Sequence, residues 1–357
     1  MKKRVPSLAV LAAVIGLLCG CGGPVLAPVS IDVAAQPAQN ISAYHLFKDA
    51  AHQIPNDGVL PYDLNTPLFT DYAAKHRFVW MPSGTAAQYN PDKAFDFPVG
   101  AVIVKTFGYL HDLRDPAKGE RLIETRLLIH RQDGWIAVPY LWNETATEAR
   151  LALAGARVPV RWTHNDGSER AINHIVPNVN QCKQCHDSGG KFMPLGPKVP
   201  QLNRDYDYGD GRENQLVHWA RTGYLKGAPE DLSGVPRFAV WDDPTSGSVE
   251  TRARAYLDSN CAHCHNPSGP AAPSGMDLSY AQTDPLRIGV NKTPVAAGRG
   301  SGGFRFGIVP GQPHESILMY RVRSTELGIM MPPLGRVSVH EEGAALLDEW
   351  IGEMNGE

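Results

Sequence analysis

The chain has 357 residues, enough for two or three domains, with 34 Lys+Arg against 37 Asp+Glu and a formal net charge of −3. That near balance, with no basic stripe, gives no footprint for nucleic-acid binding. Beyond the N-terminus no run is apolar enough to cross a bilayer as a helix.

Residues 1–20 read as a lipoprotein signal. Lys2, Lys3 and Arg4 form a basic start, and Leu8 to Leu18 is an apolar run too short to span a membrane. The run ends Leu18-Cys19-Gly20-Cys21, the pattern of a bacterial lipobox, with cleavage before Cys21 and diacylglycerol on its sulfur. A plain secretory signal cut near Gly23 is the alternative. By resemblance to such lipoproteins, Gly22, where an Asp would favour the inner membrane, points to the outer one. The expected location is the periplasm or cell surface, with a lipid anchor at Cys21. Loss of the signal leaves 31 basic against 37 acidic residues, a net −6.

Residues 21–44, rich in Gly, Ala, Pro, Val and Gln, read as a flexible tether. From 45 to 172 the pattern is β-rich. Ala101 to Phe107 is a β-branched run, and Arg121 to His130 and Trp135 to Trp142 flank Asp133-Gly134 as a hairpin. Val158 to Trp162 followed by Asn165-Asp166-Gly167 repeats the device. A sandwich-like β domain follows from these strands. Its aromatics Tyr62, Trp80, Tyr140, Trp142 and Trp162 either fill its core or line a binding face.

Residues 173–240 carry the first of two Cys-x-x-Cys-His pentapeptides, Cys182-Lys183-Gln184-Cys185-His186. The second is Cys261-Ala262-His263-Cys264-His265, within residues 241–357. This is the pattern of covalent c-type haem attachment. Two thiols at this spacing reach the two vinyl groups on one haem edge, and the adjacent imidazole meets the iron. Two attached haems are therefore expected, on Cys182 and Cys185 and on Cys261 and Cys264, with His186 and His265 as proximal ligands. The rival is one zinc ion held by four thiolates, but the pairs are far apart for a zinc ribbon. With Cys19 removed and Cys21 lipidated, the four motif cysteines exhaust the six in the chain, and none remains for a disulfide.

Between the motifs, Glu213 to Tyr224 predicts a helix with Leu216, Val217, Trp219 and Ala220 inward. Residues 226–247 read as a linker, and Ser248 caps a helix leading into Cys261. After the second motif come a Gly/Pro loop, a helical stretch Ser316 to Arg323, and Met330-Met331-Pro332-Pro333. Ser338-Val339-His340-Glu341 reads as a capping box opening a last helix, with Leu346, Leu347, Trp350 and Ile351 inward. The order resembles that of class I cytochromes c, so Tyr256 should meet Trp350. Met331, held extended by the following proline, is the expected distal ligand of the second haem, with Met330 as its neighbour. For the first haem, Met193 copies the Met-Pro order. His174, His164, His218 and an open sixth position are the alternatives.

The fold expected is thus multidomain: a mainly-β, sandwich-like domain, then α-helical haem-binding segments, the last a cytochrome c-like all-α domain. Beyond the motifs, Pro61-Tyr62-Asp63-Leu64-Asn65-Thr66-Pro67-Leu68-Phe69, Arg121 to Arg126, Val176 to Cys182, Arg252 to Leu257 and Ala296 to Gly302 resemble an uncharacterised bacterial family of diheme c-type cytochromes. The resemblance spans about residues 45 to 355. It implies two covalent haems and an envelope location, and it supplies no substrate; electron transfer would in turn need a redox partner protein in the envelope. Electron transfer is the function expected. A diheme peroxidase-like enzyme, with an open site at the first haem, is the alternative.

Overall fold

The computed structural model describes residues 26–209, 211–295 and 297–355. The signal segment and the expected lipidation site Cys21 lie outside the described residues.

Strands β1 (Leu60–Pro61), β2 (Ala74–Trp80), β3 (Val102–Leu110), β4 (Glu120–Arg131), β5 (Gly134–Trp142) and β6 (Ala149–Leu151) form one antiparallel sheet in chain order. Strands β7 (Ala156–Thr163) and β8 (Glu169–Val176) form a separate hairpin. Both predicted turns are present, with Gly134 and Gly167 at φ 119° and 84°. Gly108 marks a bulge between β3 and β4, where an added Cβ would sit 2.0 Å from a Glu120 carboxylate oxygen. Only glycine leaves that carboxylate room to reach His76 Nε2 at 2.8 Å.

Side-chain alternation gives the sheet two buried faces. Val102, Val104 and Leu127 face Ile41, Tyr44 and Leu46. On the opposite face, Val79 and Ile103 meet Leu202, Leu216 and Trp219. Further along that face Phe107 and Tyr109 meet Val160 and Trp162 of the hairpin. The β-rich region is therefore a broad sheet with a hairpin and a later chain segment laid on one face. Tyr62, Tyr140, Trp142 and Trp162 are buried in these layers and Trp80 is half-buried against one of them, so these aromatics pack in the core. The expected tether is anchored well before residue 44. Ile41 and Tyr44 are buried, Tyr44 packs edge-on against Tyr140, and Leu151 N–H donates to Gln39 O.

Helices α1 (Val179–His186), α2 (Val199–Leu202), α3 (Gln215–Arg221), α4 (Val249–Leu257), α5 (Pro285–Ile288), α6 (Ile317–Val322) and α7 (Glu341–Glu353) follow the sheet. Ser248 caps α4 as expected, accepting from Thr251 N–H. Helix α4 packs on α7, and Tyr256 and Trp350 share one core. The Tyr256 ring itself lies against Trp241 and His340. Two expectations fail. On α3 the buried residues are Gln215, Leu216, His218 and Trp219, while Val217 and Ala220 are exposed. On α7 no capping box forms. His340 occupies the cap position without a side-chain bond, because Ser338 donates its hydroxyl to Asp71 instead.

That Asp71 belongs to a segment, 65–72, that binds the β-rich region to everything after it. Thr66 donates to Ala239 O, Phe69 N–H reaches Asn260, and the Asp71 carboxylate accepts from the N–H groups of Val337 and Ser338. Tyr72 donates to Glu342 and accepts from Glu341 N–H. Asp71 and Tyr72 are both left-handed, at φ 48° and 64°. That conformation costs roughly 1 kcal/mol or more per non-glycine residue, and these bonds offset it. Among the described residues no helix is long and apolar enough to cross a membrane.

Candidate cofactor-attachment site

The first motif is built by a capped helix and a tight hairpin. Asn178 and Gln181 form a reciprocal capping box that starts α1 and sets Cys182, Cys185 and His186 on its successive turns. Immediately after, Asp187–Ser188 pairs with Lys191–Phe192 through Gly189-Gly190, both at positive φ. The hairpin folds the chain back onto His186. Phe192 stacks on its ring at 5.0 Å, and Met193 O accepts from Nδ1 at 2.8 Å.

The second motif follows α4 through one widened, π-type turn over Asp258–Ala262. Such turns often occur at functional sites. His265 Nδ1 lies 3.2 Å from Ser274 Oγ. That hydroxyl donates to Ala271 O at 2.7 Å, so it accepts from the imidazole.

These partners decide the tautomers. A carbonyl only accepts, and the Ser274 proton is already engaged. Each imidazole therefore carries its proton on Nδ1 and keeps the Nε2 lone pair free. Burial pushes both rings down to about pKa 4, with Arg321 adding to the effect at His265. Both are neutral at pH 7, the form that binds metal.

The motifs meet although their first cysteines are 79 positions apart. Cys264 Sγ lies 3.8 Å from Gln184 O, and Gly189 N–H donates to Ser268 O at 3.0 Å. Ligand atoms of Cys185, His263 and Cys264 lie within 4.8 Å of one another. A hydrogen bond between the two thiols lowers the Cys185 pKa and raises that of Cys264. Cys182 donates to Asn178 O, and its pKa is raised by burial, while burial pushes Cys261 up to about 12. The four thiols do not converge on one point, as a tetrahedral four-thiolate zinc site requires.

Among the sixth-ligand candidates, Met331 lies on a segment held against α6. Its N–H donates to Arg321 O and its carbonyl accepts from Arg336. Met331 is half-buried and Met330 is buried in the interior. The Met193 carbonyl lies at Nδ1 of the His186 ring, and the residue is 39% exposed. His174 has both nitrogens engaged, with Glu124 at 2.8 Å and Tyr109 at 3.0 Å. His218 binds Glu213 and stacks on Tyr208. His164 is buried, with Nε2 3.7 Å from Glu342. His263 lies inside the second motif, where the Cys-x-x-Cys-His pattern assigns it no role. Its Nδ1 is buried without a partner. A cavity of ≈ 570 Å³ lined by Tyr72, Trp241, Arg252, His340 and Glu342 contains none of the motif residues.

Comparison of the chain with protein-family models, with curated proteins and with solved structures gives no match.

Proposed function

We propose that the chain is a diheme c-type cytochrome that transfers electrons in the bacterial cell envelope, anchored by lipid at Cys21. The observation that carries this reading is the pair of motif imidazoles. Both are half-buried and neutral, and both present a free Nε2 because Nδ1 has its own acceptor. In this reading Cys182 and Cys185 hold one haem and His186 ligates its iron. Cys261, Cys264 and His265 do the same for the other. When bound, the haem irons supply one-electron redox chemistry.

The chain's own residues orient and shield. Met193 O and Ser274 Oγ fix the two imidazole planes and raise their basicity. Residues 241–357 are read as cytochrome c-like, from the order of α4, motif, loop, Met331 and α7 and from the packing of α4 on α7. Met331 is the proposed sixth ligand there. The contact between Cys185 and Cys264 favours two haems close together, a short path for electrons to and from an envelope redox partner.

A second reading is favoured by one observation. His174 and His218 already have partners, His164 faces Glu342, and the Met193 carbonyl is held at His186 Nδ1. We therefore read the His186 haem as lacking the sixth ligands expected for it, which leaves room for a peroxidase-like reaction. Low-temperature electron paramagnetic resonance of the oxidised protein tests both. One His/Met low-spin signal with a second low-spin signal supports electron transfer alone, and a high-spin signal supports the open site. Zinc without haem, in protein made with a haem-attachment system, overturns both.

A further inference from the structure

The sheet face that looks toward the first motif carries a row of like charges. Arg77 on β2 pairs directly with Lys105 on β3, and Lys105 pairs directly with Arg126 on β4. Lys75, Phe107 and Glu124 form the next row. Arg126 Cζ and Lys105 Nζ lie 4.3 and 4.9 Å from the centre of the Phe107 ring. Like charges directly opposite on a sheet are destabilising, and burial without an anion adds to the penalty.

The local carboxylates are already assigned. Arg77 binds Asp63, which also takes Arg204. Arg126 binds Glu124, which also takes His174. Asp71 lies toward Lys75 but accepts from Val337 and Ser338. Among the described residues Lys75 reaches only Ala73 O at 3.2 Å, and Lys105 has no ion-pair partner. Two half-buried lysines therefore stand without anions, and burial pushes the pKa of Lys75 down to about 7 and that of Lys105 well below the usual lysine range. Lys105 also faces the motif, acting electrostatically on His186 as Arg126 does on Cys182 and Cys185, and Lys75 lies beside Lys105 in the next row of the sheet.

We propose that Lys75 and Lys105 seat the two carboxylates of the haem carried by Cys182 and Cys185, against the β2–β3–β4 face. This rests on the diheme reading. Two acidic groups match the two unpaired lysines, and a carboxylate beside each favours the charged form that burial disfavours.

The test uses the full-length haem-loaded chain and its Lys75→Gln, Lys105→Gln and Lys105→Arg variants. Mass and haem content come first. An unaltered chain without haem ends the diheme reading itself. With haem present, spectroelectrochemistry reads each potential. Loss of a cation leaves more negative charge beside the iron and favours the ferric state. Each Lys→Gln change should shift one haem's equilibrium about tenfold toward ferric, about 59 mV for a one-electron couple. Lys105→Arg should leave it in place. In redox infrared difference spectra the haem carboxylate bands should move in the Gln variants only. Unchanged potentials and unchanged carboxylate bands in both Gln variants overturn the proposal. If Lys105→Gln does not fold, Lys75→Gln, from the neighbouring row, decides alone.

Discussion

His174 Nε2 donates to Glu124 Oε1 at 2.8 Å, and neither residue reaches solvent. The bond links the hairpin to the main sheet. Burial alone would raise the Glu124 pKa, but Arg126 and His174 outweigh it and hold the carboxyl below the usual range. Removing one member of such a buried pair costs about 3–5 kcal/mol. His174→Ala should lower stability by roughly that amount in urea unfolding. The resonance spectrum of the bound irons should not change, and a change would make His174 a ligand.

Cys261→Ala should leave one haem per chain instead of two, read by intact mass and haem absorbance. The remaining haem should keep the spectrum of the His186 site. Retention of two haems would mean that the second motif attaches nothing.

Met331→Ala should remove the weak charge-transfer band of a Met-ligated ferric haem. Met193→Ala should leave that band intact, because the Met193 carbonyl is held at His186 Nδ1, away from Nε2. Loss of the band in Met330→Ala but not in Met331→Ala would move the ligand by one residue.

His340 provides a pH test away from the motifs. Its ring stacks on Phe69 at 4.1 Å, its Nδ1 lies 2.9 Å from Tyr256 Oη, and burial lowers its pKa from 6.5 to about 4. Between those values the unfolded chain binds a proton that the folded chain refuses. Stability from this group is therefore complete above pH 6.5 and declines toward pH 4, on the order of 3 kcal/mol in all. His340→Phe should flatten the fall in Tm over that window. An equal fall in both proteins would assign it to other groups.

Local signals in the sequence carried as far as local physics reaches. Asp133-Gly134 and Asn165-Asp166-Gly167 specify their hairpins because the turn chemistry is contained in the turn. Ser248 caps α4 for the same reason. Ser338 fails as a cap because its competitor, Asp71, is 267 positions away, and no local pattern reveals it. The anchoring of residues 39–44 was hidden in the same way, since Tyr44 reads as packed only once Tyr140 is beside it. The motif cysteines and histidines are legible from spacing alone. Their mutual approach is not, because it depends on how the Gly189-Gly190 turn and the Ser268 loop come together. Lys105 did carry a signal, as the one charged residue within the apolar run Ala101 to Phe107.

The bonds from Asp71 to Val337 and Ser338 also set a schedule. The ribosome makes Asp71 early and its partners 266 and 267 residues later. Until those last residues exist, the left-handed turn at Asp71 and Tyr72 lacks the contacts that hold it. The clasp between the sheet and the C-terminal helices therefore cannot form until both cysteine motifs, which lie between its two halves in the chain, have been made.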